Sequence, residues 1–251
     1  MGDVAALEGR EYGPASLGID QEKVWEFVAA TGDDDSRWVS VAPPGFVANA
    51  LFAVAPELLS DPAVVAAGGV IHGDQRFEWH RPLEVGITGV VSGRVARVKS
   101  RGNAVFVGFD MTWAADDGPI ATGSSMFVVS GAGEVGEEVE EPAALARSET
   151  GRSASRLDLV RYAGATRDWN PIHWDHKAAV AAGLGGIVVH GLLQSAWMIQ
   201  EAVRESTAPL RMARFRYREP LRPATGVTIT PVGEKLELVG PDGTHLIGEF
   251  S

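Results

Sequence analysis

The chain has 251 residues, a formal net charge of −11 and a pI near 5.0, an acidity that argues against a broad nucleic-acid surface. It has no cysteine, which excludes disulfides, thiol nucleophiles and thiolate metal sites, while 45% apolar residues suffice for a buried core. No apolar run approaches the roughly 20 residues of a membrane helix, and the start MGDVAALEGREYG lacks the basic-then-apolar profile of a secretory leader, so a cytoplasmic protein without a membrane partner is expected.

In chain order, the first element is a helix with Asp20 as N-cap and Val24, Trp25, Phe27 and Val28 as apolar positions. It leads into FVAATGDDDSRW, Phe27 to Trp38. The apolar segment Asn49 to Leu59 follows. His72 and His80 flank GDQRFEWHRP and are expected to be structural. Then come alternating strands, VVSGRVARVKS, AVFVGFDMTWA and ATGSSMFVVS, with a turn at the Asp-Asp-Gly of 116–118. Residues 131–142, GAGEVGEEVEEP, read as an acidic linker.

The second half begins with YAGATRDWNPIHW, Tyr162 to Trp174. The stretch Asp168 to Asp175 places two carboxylates, an amide and an imidazole close together. Asn170-Pro171 breaks regular helix, and a turn there can bring Asp168 and His173 to one point. A carboxylate beside an imidazole can work as an acid–base pair near neutral pH. The competing reading is a capping Asp and a structural His. As metal ligands, Asp168, His173, Asp175 and His176 match no recurring spacing, and the adjacent pair would point apart. Next, GGIVVHG (Gly185 to Gly191) enters an apolar helix, His190 to Val203. At its start, amides without an intrahelical partner suit a developing oxyanion, and Gly191 has no side chain to block approach. Gly191 could equally serve close packing. The strands ARFRYREPL, GVTITPVG, KLELVG and THLIGEF close the chain. Arg214, Arg216 and Arg218 alternate with Phe215 and Tyr217, either as an outer strand face or as a basic rim for a phosphate-bearing carrier.

Two internal matches suggest duplication. Aligning Thr31 with Thr166 puts Asp33 on Asp168, an offset of 135; aligning Pro82 with Pro220 matches RFEWHRPL to RFRYREPL, an offset of 138. The expected units are 1–130 and 143–251, each an α+β unit with a long helix in a curved antiparallel sheet. Together the polar groups describe a reaction. An oxyanion donor holds a thioester carbonyl, and a carboxylate and an imidazole move protons at C2 and C3. No cofactor or metal is required.

Tyr162 to Leu193 resembles the hydratase-2 motif of the MaoC-like dehydratase family, and VAPPGF with VIHGDQRFEWHRPL resembles that family's N-terminal non-catalytic unit. The resemblance implies a double hotdog, like a fusion of the two subunits of the mycobacterial-type dehydratase. It implies catalytic Asp168 and His173, an oxyanion glycine at Gly191, and Asn170 as support for the loop. It further implies (R)-specific hydration of enoyl thioesters, or the reverse dehydration, on CoA or acyl carrier protein. The alternatives are a non-catalytic acyl-thioester-binding hotdog and a thioester hydrolase. A monomeric pseudo-dimer and a homodimer both fit. Two departures stand out: Arg167 replaces the family's glycine before the catalytic Asp, and the first copy contracts after TGDD. Arg167 is expected to lower the pKa of Asp168, point toward a carrier, or obstruct the site.

Overall fold

The computed structural model describes all residues except 1–3, 68, 103, 131–136 and 205–207. Its helices are α1 (Gln21–Thr31), α2 (Ala48–Leu59), α3 (Pro62–Ala66), α4 (Arg156–Thr166), α5 (His176–Ala181) and α6 (Gly191–Ala202). Its strands are β1 (Glu11–Gly18), β2 (Gly69–Trp79), β3 (Thr88–Arg101), β4 (Ala104–Ala115), β5 (Gly118–Ser130), β6 (Met212–Tyr217), β7 (Thr228–Val232), β8 (Lys235–Gly240) and β9 (Gly243–Phe250). Among the described residues they form one antiparallel sheet in the order β1-β3-β4-β5-β2-β6-β9-β8-β7. None of these helices is long and apolar enough to cross a membrane.

The two long apolar segments become α2, packed on β1, β3 and β4, and α6, packed on β6, β8 and β9. In α6 every residue from Leu192 to Gln200 is buried, as the apolar positions around its circumference require. Each large apolar side chain withdrawn in this way contributes roughly 1.5–3 kcal/mol of transfer free energy. In α2, Pro56 leaves the Phe52 carbonyl without its helical donor.

The seam of the sheet lies between β2 and β6, where Arg76 pairs with Arg214. The alignment that matches Pro82 to Pro220 also matches Arg76 to Arg214. Each arginine therefore faces its own counterpart, so a local two-fold axis passes between them. The other alignment behaves the same way. Phe27 and its counterpart Tyr162 meet with ring centroids 6.2 Å apart. Thr31 and Thr166 both turn their hydroxyls back to a carbonyl four residues earlier, at 2.9 and 2.8 Å.

Some elements depart from the sequence expectation. Asp20 occupies the N-cap position of α1 but its side chain caps nothing; it accepts a bond from Lys23 at 2.5 Å instead. β1 is a strand hidden in the sequence by Gly13 and Pro14, which sit at an irregularity of this edge strand. Its counterpart in the second half shrinks to one bridge, Arg152 to Val227. Of the expected linker, residues 131–136 lie outside the described residues. Residues 137–142 have no regular structure and lie against the second half, with Val139 donating to the Gly185 carbonyl and Glu141 paired with Arg156.

Candidate active site

Helix α4 starts in a capping box, Ser155 with Asp158, and stops at Arg167, which adopts the left-handed conformation (φ 66°, ψ 18°). That reversal turns Asp168 inward, to 7% exposure. Two residues on, the Asn170 side chain accepts from the Ile172 amide and caps the short turn Pro171–His173. His173, also 7% exposed, donates from Nδ1 to the Val188 carbonyl at 2.8 Å. The carbonyl must accept, so Nδ1 carries the hydrogen and Nε2 keeps a lone pair.

His190 packs behind both residues. Its ring stacks on His173 with centroids 3.8 Å apart, and its Nε2 donates to the Asp168 main-chain carbonyl at 3.2 Å. It is fully buried, against Tyr162. The ligating atoms of Asp168, His173 and His190 lie within 4.8 Å of one another. The stacked imidazoles lie in planes only 23° apart, and one nitrogen of each ring already serves a carbonyl. The cluster therefore suits proton transfer better than tetrahedral metal coordination. Asp175 and His176 do not join it: Asp175 caps α5, and His176 faces Glu138 at 3.6 Å.

Burial pushes the Asp168 carboxyl up to about 7, opposed by the Asn170 amide, and pushes His173 down to about 4. Of the three roles left open for Arg167, a lowering of the Asp168 pKa is not what the site shows: burial is the largest cause and the pKa rises. The pair consequently holds one proton from about pH 4 to about pH 7, on the carboxyl, opposite a neutral imidazole.

This has a consequence for stability. From the ordinary carboxylate value of 3.8 up to about 7, the unfolded chain has released a proton that folded Asp168 still holds, so Asp168 makes folding less favourable as pH rises. His173 acts in the opposite sense between about 4 and 6.5. Asp168→Asn, which cannot ionise, is therefore expected to raise Tm over wild type more at pH 8 than at pH 5. Equal shifts in thermal melts at the two pH values would contradict a carboxyl held protonated.

Asp168 lines two adjoining cavities. The inner one, about 340 Å³, is bounded by Asp168, His173, Gly191, Gln194, His72 and Tyr217. The outer one, about 670 Å³, is bounded by Pro56, Val65, Arg167, Trp169 and Ala181. Gly191 is the first residue of α6, so its amide has no carbonyl one turn back to accept it. Tyr217 lies over it, with its hydroxyl 2.9 Å from Ser195 Oγ. The arginines divide. Arg214 is 3.0 Å and Arg216 4.0 Å from Asp74, on the outer face of β6, whereas Arg218 is exposed and lines the inner cavity.

His72 and Tyr217 were not singled out by sequence as cavity residues. For Tyr217 the signal was present: it shares strand parity with the buried Phe215. For His72 it was not. Gln75, Phe77 and Trp79 alternate inward, which would turn His72 outward, but Gly73 is an extra residue between His72 and Asp74 in the pairing with β5. That bulge flips His72 into the cavity, between Phe127 and Tyr217.

Residues 133–235 match the MaoC like domain, and residues 6–123 match the FAS1-like dehydratase domain region. A UPF0336 protein of Streptomyces coelicolor is 31% identical over 109 residues, covering 38% of this chain and 73% of that protein. The chain belongs to the MaoC-like dehydratase family. Proteins of known structure share its architecture. HtdX from Mycobacterium tuberculosis superposes with a TM-score of 0.74 at 20% identity, covering 93% of this chain and 96% of HtdX. A second M. tuberculosis protein, described as a double hotdog, gives 0.65 at 12% identity, covering 97% and 95%. The fold of this MaoC-like chain is thus the double hotdog, and its family is one of hydro-lyases.

Proposed function

We propose that the protein adds water to trans-2-enoyl thioesters to give (3R)-hydroxyacyl thioesters, or runs the reverse dehydration, on CoA or an acyl carrier protein. The observation that carries this reading is the buried Asp168–His173 pair, whose side chains come together beside the start of α6 in a single cavity. The Gly191 N–H donates a hydrogen bond to the thioester oxygen and stabilises the charge that develops there, which makes C3 electrophilic and C2–H acidic. In hydration, one member of the pair takes a proton from water as its oxygen bonds C3, and the other delivers a proton to C2. Dehydration reverses both transfers. Each turnover returns the pair to its starting proton count, so the residues need no cofactor.

The same reading assigns the chemistry to residues 143–251 and a substrate-shaping role to residues 1–130, joined by 131–142. Phe52, Val70, His72 and Phe127 from the first half line the cavity that holds His173, which supports this division. A single chain supplies both halves of the sheet, as a pseudo-dimer does.

The test is to follow the ultraviolet absorbance of the conjugated enoyl group with crotonyl-CoA and with longer and carrier-bound enoyl thioesters. The product's configuration is then determined on a chiral phase. Loss of the band with formation of the (3R) alcohol is expected. Release of free thiol instead would mark a hydrolase, and binding of every thioester without turnover would mark a non-catalytic acyl-binding protein.

A further inference from the structure

Position 167 is the one place near the site where the backbone and the residue type disagree. Among the described residues, only Arg167 and Ala224 combine a side chain with a positive φ. The left-handed conformation brings the Cβ of an L-residue close to the following carbonyl oxygen and is disfavoured against the right-handed one. The counterpart of Arg167 in the first half is Gly32, which ends α1 with nearly the same geometry (φ 66°, ψ 35°). The turn therefore works with no side chain at all, and the second half keeps a long cation there against its backbone preference. Strain of this kind concentrates where a side chain is needed for something other than the fold.

The setting of the side chain indicates what it is needed for. Arg167 is exposed and lines the outer cavity with Trp169, Pro56 and Val65, and Asp168 is shared between that cavity and the inner one. Among the described residues no carboxylate pairs with Arg167, although this chain has a net charge of −11 and Arg10, Arg76, Arg81, Arg147, Arg156 and Arg214 are all ion-paired. A guanidinium presents a planar fork of donors matched to carboxylate and phosphate oxygens.

We propose that Arg167 makes the outer cavity an anion subsite, which binds a phosphate or carboxylate group carried by the thioester substrate. This rests on the enoyl-thioester reading above. Two parts of such a substrate can supply the anion: the phosphates of the carrier, or a carboxylate on the acyl chain beyond C3.

The experiment measures KM and kcat of wild type, Arg167→Gln, Arg167→Lys and Arg167→Gly on four thioesters. These are the crotonyl esters of CoA and of pantetheine, which lacks phosphate, and the same two carriers bearing an enoyl chain that ends in a carboxylate. A charge-assisted contact of ordinary strength predicts that wild type has a KM about tenfold lower for the anionic member of the relevant pair, and that Arg167→Gln and Arg167→Gly bring that ratio near one. Arg167→Lys retains part of it. A ratio lost between CoA and pantetheine assigns the carrier phosphate; a ratio lost between carboxylate-ended and plain chains assigns the acyl group. Arg167→Gly should also raise Tm by relieving the turn, which separates a specificity effect from misfolding. KM ratios identical in wild type and all variants would overturn the subsite. Failure of wild type to turn over any of the four, together with the longer and carrier-bound enoyl thioesters, would sink the hydratase reading instead. Calorimetric binding of CoA and of the carboxylate-ended enoyl-CoA to wild type and Arg167→Gln would then still decide the subsite, with equal affinities counting against it.

Discussion

Asp168→Asn and His173→Ala are each expected to lower kcat/KM for enoyl-thioester hydration by about 10³-fold, within the range that positioned acid–base groups contribute. Both side chains are buried, so each titrates away from its ordinary value, and the values move toward each other and cross. Under the proposed reaction the active state is the one with a single proton on the pair. Wild-type kcat/KM should form a plateau between about pH 4 and about pH 7, falling above it as Asp168 loses that proton and below it as His173 gains a second. The double variant should be little worse than either single one, because the two groups act as a unit. Stopped assays across pH on the three variants check this. A flat wild-type profile, or variants within a few-fold of wild type, would remove the pair from the mechanism.

The second large effect is at the start of α6. Gly191→Ala is expected to reduce kcat by about 10²-fold, comparable to loss of one oxyanion donor. A Cβ at this position would lie 2.8 Å from the Tyr217 ring and would force it away from Ser195, to which its hydroxyl is hydrogen-bonded. The same methyl group would crowd the approach of a carbonyl to the 191 amide. Packing and oxyanion binding can be separated by adding Tyr217→Leu. Room for the methyl group should return, and Tm with it, while kcat stays low. Full recovery of kcat in the double variant would reduce Gly191 to a packing residue.

Much of this site was legible because its chemistry is local. Asp168, Asn170 and His173 fall in one short loop, and an Asn-Pro pair before a histidine announces a capped turn. Helix α6 was legible because its apolar positions cover most of its circumference, which suits an enclosed helix. The duplication was legible from two weak matches, and their counterparts meet in space at Phe27 with Tyr162 and at Arg76 with Arg214. What escaped was set by pairing rather than by composition. β1 carries a Gly-Pro irregularity that hides its alternation, and His72 reaches the cavity only because Gly73 is left unpaired. Neither is readable without the partner strand. The two readings of Arg214 and Arg216, an outer strand face or a basic rim, could not be separated in the sequence for the same reason: both lie beside Asp74, a neighbour brought there by the β2–β6 seam.

The local two-fold axis at that seam bears on how such a protein can change. Two identical copies related by symmetry must alter together, since any substitution appears on both sides of the axis. Once both halves lie in one chain, that obligation ends. The first half carries no histidine at the motif distance, yet it places His72 and Phe127 in the wall of the cavity that holds His173. Selection can therefore reshape that cavity through residues of the first half while leaving Asp168 and His173 untouched.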